Sequence, residues 1–542
     1  MTSAITPLQI AKASGFRPSN GGSGQGSGQG LRDLFAPLDH LLAGGGDPRL
    51  TLDSVSGVNE YGCGPVPSPE TWNFASSTAS SISARAYGRA ELAREELMGT
   101  AITAGVEEAF DARIEQMREE LSAHLELSAA EVDVVFSPSG TDSQLHALFL
   151  ARSLLGSKLT TIVVGSDQTG SGTLYTARGR HFAALTAGGR PVRKDTPIAG
   201  LSGESVALPL IDGAGDVAVL DAIEMAVGNG ARVLLQIMDC SKLGWRAPGE
   251  ACLDEIARRW PDKVLVVVDA CQMRLGRRRM RNYLDRGYLV LITGSKYFGG
   301  PAFSGALLVP SRLSRSLERG VQVSRGLLDY AGRSDWPNRW ADLRSRFESR
   351  PNFGQWLRWE AALEEIKAYY QVPDAFRALA LKELGAGIQS LIALSPSLRL
   401  VGSATNADDA DDEEFAAATI FPFMMERHGS PLSVEACRAV HRLLTHELTG
   451  MAAGSEADRQ IAARRCLVGQ PVRLERRDGE PTAVLRLCIG ARLVTETWSA
   501  EAGIAQKNLQ REIDRVAEVV AKIELLLAHA GGRQVAELSY GL

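Results

Sequence analysis

Residues 264–272 read VLVVVDACQ, and residues 289–305 read LVLITGSKYFGGPAFSG. The first is a continuous apolar run that ends in an acid, Asp269. Such a run predicts a strand buried on both faces of a parallel sheet. The second is another apolar run, which ends in Thr293-Gly294-Ser295-Lys296 and then a glycine-rich turn. Ligands of open α/β sheets sit outside the carboxyl ends of the strands. An acid and an amine therefore leave neighbouring strands at the place where a ligand binds.

The pattern around these two runs repeats. VDVVFSP (132–138), TTIVVGS (160–166) and ARVLLQIMD (231–239) predict further strands, and GALLVP (305–310) predicts one that returns antiparallel. Helices are expected at 107–126, from 139 onward and at 250–260. This alternation implies an α/β fold, a three-layer, mostly parallel sheet covered on both faces. The glycine-rich interval 169–221 gives no clear assignment. Beyond 311 the pattern turns helical (338–348, 355–370 and 374–394). A smaller C-terminal α/β domain follows, with strands TIFPFMM, CLVGQPVRL and TAVLRLCIG and helices at 433–448 and 505–528. The expected layout is a flexible Gly/Ser-rich tail (1–30), a large domain with an N-terminal arm (31–325), linking helices (326–395) and the small domain (396–542). The acidic run NADDADDEE (406–414) reads as a solvated loop.

Composition sets outer limits. The chain has 542 residues, 44% hydrophobic and 23% charged, with a net charge of -5. These values suit an ordinary globular protein and give no basic surface for nucleic acid. No apolar run approaches the ~20 residues that span a bilayer, and no secretion signal is expected at the N-terminus. Seven cysteines lack metal-ligand spacing, which fits a reduced, cytoplasmic protein with no metal.

The acid–amine pair is the polar pair that a pyridoxal 5'-phosphate (PLP) site requires. A lysine amine, Lys296, forms the Schiff base. A carboxylate, Asp269, keeps the pyridine nitrogen protonated so that the ring acts as an electron sink. Read singly, Lys296 is equally a surface lysine at a strand end, and Asp269 a helix cap. Thr293 and Ser295 are hydroxyl donors suited to phosphate, and Gln272 is placed to bond the cofactor's phenolic oxygen. Ser139-Gly140-Thr141 follows a strand and opens a helix, whose N-terminus offers free N–H groups to an anion.

With these residues in place the chain resembles fold-type I PLP-dependent enzymes, of the class V aminotransferase and cysteine desulfurase-like superfamily. SGTDSQ (139–144) is similar to that family's phosphate turn, and SKLGWRAP (241–248) to its Ser-Asn-x-x-Gly…Pro segment. DACQ (269–272) is similar to Asp-x-x-Gln, and GSKYFGGPAFSG (294–305) to the Schiff-base lysine region. FESRPNFGQW (347–356) resembles a segment that reaches the neighbouring subunit's phosphate, so Arg350 and Asn352 are candidates for that contact in a homodimer with shared active sites. AVLRLCIGARLVTET (483–497) resembles the strand whose arginine pairs with the substrate α-carboxylate. Arg486 takes that role, or Arg492 if the register is shifted. Asn59 and Tyr61, in NEYGCGPVPSPE, are candidates for substrate contact.

The chain also departs from the pattern. SDQTGSGT (166–173) stands where desulfurases carry a ring-stacking histidine, so Gln168 or Thr169 would face the ring. Cys466 is twenty residues before Arg486 and leads into an apolar strand, unlike the mobile desulfurase cysteine. Lys242 replaces the usual asparagine, as a second active-site cation or as an outward-pointing residue. The resemblance implies a PLP-dependent enzyme acting on an amino acid through an external aldimine and a Cα carbanion. A lyase or transferase for elimination, replacement or carbon–carbon bond formation comes first. An aminotransferase or cysteine desulfurase is the alternative, and a non-catalytic PLP-binding regulator a distant one.

Overall fold

The computed structural model describes residues 32–211, 215–318, 320–402, 412, 414–448, 455–475 and 480–529. The tail expected at 1–30, and most of the acidic run at 406–414, lie outside the described residues. In chain order the first strands are β1 (Thr71–Phe74), β2 (Val132–Ser137), β3 (Leu159–Val164), β4 (Glu204–Leu208), β5 (Arg232–Met238), β6 (Val264–Asp269), β7 (Leu289–Thr293) and β8 (Gly305–Pro310). Then come β9 (Leu398–Leu400), β10 (Ile420–Arg427), β11 (Ser430–Pro431), β12 (Arg465–Leu474) and β13 (Thr482–Cys488).

Seven strands form one sheet in the order β2-β8-β7-β6-β5-β3-β4. β8 runs antiparallel to both its neighbours, as expected for 305–310, and the other pairs are parallel. The apolar runs serve two cores at once. Leu265, Val267, Leu289 and Leu291 pack with the helix Gly140–Leu155 on one face. Val266, Val268, Val290 and Ile292 pack on the other with Ile223, Leu253 and Met280, from the helices Asp216–Gly228, Glu250–Arg259 and Arg277–Asp285. Alternate side chains of a strand point to opposite faces, so a run without polar residues forms the middle of a three-layer α/β sandwich.

Two elements differ from the expectation. β4 falls within the unassigned interval; it is an edge strand with exposed positions, so it lacks the apolar signature. The helix expected at 338–348 is only Ala341–Arg344. Trp336 and Trp340 are fully buried and stacked at 6.1 Å, and this anchoring holds Trp340 at a non-helical φ -91, ψ 48.

The second sheet runs β1-β12-β13-β10-β11, with β9 on β10. β1, from the N-terminal arm, pairs parallel with β12. The helix Val434–Leu444 packs on β12 and β13, and the long helix Ala502–His529 packs on the helix Asp374–Leu394. Among the described residues no helix is long and apolar enough to cross a membrane.

One buried cation ties the arm to the main sheet. Arg358, on the helix Phe353–Gln371, is fully buried. Its guanidinium donates to the carbonyls of Phe303 (2.6 Å), Leu42 (3.0 Å), Gly45 (3.1 Å) and Gly44. Burial pulls its pKa down to about 9. Arg358→Met strips four carbonyls of their donor, two of them on buried residues, and is expected to cost roughly 3 kcal/mol. A denaturant midpoint equal to wild type would contradict this.

Candidate active site

Asp269 lies beside Leu291 in the parallel β6–β7 pair. The acid and residues 293–296 therefore leave the sheet at the same edge. The Asp269 carboxylate is buried and accepts from the Cys271 N–H (3.2 Å) and the Thr169 hydroxyl (3.2 Å). Thr169 arrives from the loop after β3. The Thr293 hydroxyl donates to the Cys271 carbonyl at 2.7 Å, clamping the two strand ends together. That proton is thereby spent within the protein. Ser295 is buried and Lys296 half-buried. Lys296 is close enough to act electrostatically on Lys242, Cys240 and Cys271. Burial pushes the Cys240 thiol up to about 12. Burial, then the Asp269 charge, also raises the Cys271 thiol well above its ordinary range. Both thiols stay protonated.

A continuous set of contacts runs from this pair to the second sheet. Gln168, next to Thr169, is 1% exposed, and neither atom of its side-chain amide has a hydrogen-bond partner. Its carbonyl accepts from the Lys242 N–H (3.4 Å), and the Lys242 carbonyl accepts from Arg486 Nη1 (3.3 Å). Arg486, on β13, also donates to the Thr78 hydroxyl (3.0 Å) and the Gln470 carbonyl (2.8 Å). All of these acceptors are neutral. Burial lowers the Arg486 pKa to about 10. Burial, then the Arg486 and Lys296 cations, brings the Lys242 ammonium to about 8.

The start of the helix Gly140–Leu155 meets the same strand ends. A Cβ added at Gly140 would lie 2.8 Å from Cys271 Sγ and 3.2 Å from Thr293 Cγ2. Ser139 caps the helix through Asp142, whose carboxylate accepts from the Ser139 hydroxyl at 2.6 Å. Burial, then the charge of Asp47, raises the Asp142 pKa to about 7. Thr141 is buried at the first turn and packs against Gly172. Arg49 reaches Ser139 (3.3 Å) from the arm, is ion-paired to Asp47, and lies over the Phe303 ring at 4.6 Å. Tyr61 meets Phe303 edge-on at 5.4 Å.

Other sequence candidates are occupied elsewhere. The Gln272 side-chain amide donates to the Ser77 carbonyl (2.9 Å) and accepts from Arg274 (3.1 Å). Asn59 holds its own turn by accepting from the N–H groups of Tyr61 and Cys63. Arg350 lies 3.4 Å from the carbonyls of Leu328 and Ala331. Asn352 caps the helix Phe353–Gln371 and donates to Gly45. Arg492 donates to the carbonyls of Ser81 (3.0 Å) and Gly299 (2.6 Å). It lines a cavity of about 250 Å³ that borders Tyr297 and Gly299 but contains neither Lys296 nor Asp269.

Arg49 and Arg274 were not singled out from sequence. Arg274 is buried and donates to Ser76 (2.9 Å) and to the Gln272 carbonyl (3.0 Å). A charged residue directly after a strand and its polar end, as in DACQMR, is the signal that would have found it. Among the described residues no group of three or more His, Cys, Asp or Glu could hold a metal ion.

No protein-family profile matches the chain, and no curated protein does. Its backbone is similar to that of a NifS-like protein (TM-score 0.47, 13% identity, covering 82% of this chain and 99% of that one). It is also similar to Oryza sativa TDC with PLP and tryptamine (0.48, 13%, covering 95% and 92%). A third similarity is to Catharanthus roseus tryptophan decarboxylase in complex with L-tryptophan (0.46, 14%, covering 95% and 92%).

The charges acting on Lys242 come from Arg486, Lys296, Asp167 and Asp269. Its pKa of about 8 lies below the ordinary ~10.4 of an unfolded lysine. Between those values the unfolded chain binds the extra proton, so this residue's contribution to stability rises with pH across that window. After reductive ¹³C-methylation, one lysine signal absent from Lys242→Met should titrate near 8. A Lys242 signal that titrates with the exposed lysines would contradict the burial.

Proposed function

We propose that this chain is a PLP-dependent enzyme acting on an amino acid, a lyase or transferase of the class V aminotransferase and cysteine desulfurase-like group, working in the cytoplasm as a homodimer. One observation carries the reading. A buried acid and a half-buried lysine leave adjacent parallel strands at one edge, and the N-terminus of a helix is packed against the same two strand ends.

The residues present fit the cofactor. Gly140 lets the helix start pack against the strand ends, where a Cβ would crowd Cys271, and N–H groups at a helix start suit a phosphate. Asp142, with a pKa raised to about 7, carries only part of a full negative charge near neutral pH and so repels a phosphate less than an ordinary aspartate. The orphaned Gln168 amide, beside Thr169, supplies a buried donor and acceptor with no protein partner. Bound PLP supplies an electron sink for charge that develops at the substrate's α-carbon.

The chain's own groups do the rest. Asp269, fixed by Thr169 and the Cys271 N–H, holds a proton on the pyridine nitrogen. Lys296 would hold the cofactor through its amine, and that amine would move a proton at the substrate α-carbon. Arg486, a planar fork bonded only to neutral acceptors, receives the α-carboxylate. Sulfur transfer is disfavoured. Cys466 is fully buried in β12, and burial pushes its thiol up to about 11. Thiolate is the reactive form, and it is scarce there at neutral pH.

Purified protein given PLP is expected to gain a visible absorption band that Lys296→Ala lacks. A colourless wild type after PLP addition would overturn the reading. Gly140→Ala should weaken PLP uptake roughly ten- to hundredfold, the equivalent of a typical overpacking penalty. Equal PLP affinity in this variant, by equilibrium dialysis, would remove the phosphate from the helix start.

A further inference from the structure

We propose that the substrate carries a second acidic group on its side chain, and that Lys242 is the residue that selects it. This deepens the reading above and rests on it. The argument starts from uncompensated charge. Lys242, Arg274 and Arg486 sit together around the site: Arg486 bonds the Lys242 carbonyl, and Arg274 lies within electrostatic reach of Arg486. Among the described residues, none of the three has a carboxylate within ion-pair distance. Arg486 is bonded to Thr78, Gln470 and Lys242, and Arg274 to Gln272, Ser76 and Ile489; all of these acceptors are neutral. Arg274 Nε and Arg486 Nε are buried with no hydrogen-bond partner at all.

The acids nearby are committed. Asp269 serves the cofactor nitrogen. Asp167 accepts from the N–H groups of Leu210 (2.7 Å) and Ile211 (3.1 Å) with both oxygens. Asp239 accepts from the Tyr283 hydroxyl (2.9 Å) and lies near Arg246. Arg274 and Arg486 are buried and Lys242 is half-buried, and cations withdrawn from water without an acid are costly unless a ligand supplies the anion. An α-carboxylate answers one cation, Arg486. The Lys242 main chain is held beside Arg486 and Gln168, its ammonium is within electrostatic reach of Lys296 and Asp269, and no acid is ion-paired to it among the described residues, so it is the cation assigned to the second acid. Asparagine, glutamine and monocarboxylic amino acids bring one negative charge; aspartate, glutamate, cysteate and O-phosphoserine bring more.

Amine-free probes test this without turnover. Succinate and glutarate are compared with butyrate and valerate, and 3-sulfopropanoate is added to separate sulfonate from carboxylate. Binding to the PLP-treated full chain is measured by calorimetry. At least one diacid is expected to bind at least tenfold more tightly than its monoacid counterpart. Lys242→Met should close that gap through a roughly ten- to hundredfold loss in diacid affinity, the scale of a charged hydrogen bond, and Lys242→Arg should restore part of it. Diacids and monoacids that bind alike, or a gap that survives Lys242→Met in a protein with wild-type melting, overturn the proposal. The Lys296-dependent colour separates the two readings. A coloured protein without diacid preference loses only this inference. A colourless protein that still prefers diacids through Lys242 loses the PLP reading and keeps the selecting lysine.

Discussion

The parallel register between β6 and β7, in which Asp269 lies beside Leu291, is the constraint on which the site depends. A slip of one residue would turn Asp269 to the opposite face of the sheet, and a slip of two would move it by about 7 Å along the strand. The register is fixed by packing rather than by the polar ends. Val266 and Val268 enter one core and Leu265 and Val267 the other, so any odd shift exchanges the two faces. Two hydrogen bonds then lock what the sheet has placed. Thr293 is bonded to the Cys271 carbonyl and Thr169 to Asp269, and together they join loops from three strands.

The large sheet was legible because its strands are buried on both faces, which leaves uninterrupted apolar runs in the sequence. Asp269 and Lys296 were legible for the related reason that each ends such a run. Where burial is one-sided or local, the signal fails. β4 has no fully buried position and exposes Glu204 and Ala207, and the four residues of β1 give no hint that the N-terminal arm pairs with a strand nearly four hundred residues later. The run at 338–348 carried a helical pattern, yet two buried tryptophans fixed its path instead.

The candidate site shows the same division at the level of single atoms. Residue type is readable from sequence, but the fate of each donor and acceptor is not. Gln272 has the amide expected of it, and that amide is taken up by Ser77 and Arg274. Gln168, from a stretch that departs from the family pattern, has the amide with no partner. Arg49 lies near Ser139 only because Asp47 and Phe303, distant from each other in the chain, hold it on two sides. No local spacing encodes such a contact.

Ser76, Ser77 and Thr78, one residue beyond β1, link the two sheets at the candidate site. The Ser76 hydroxyl accepts from Arg274, the Ser77 carbonyl from Gln272 and the Thr78 hydroxyl from Arg486. Arg274 and Gln272 follow β6 of the large sheet, whereas Arg486 belongs to the small one. The segment is itself anchored to the small sheet by β1 pairing with β12. The arm thus fixes the small-domain guanidinium relative to the end of β6, and it does so with neutral oxygens alone. An aspartate at position 76 or 78 would hold the arginines more strongly, but it would also cancel their charge. The two hydroxyls orient the cations and leave the charge for an anion to answer.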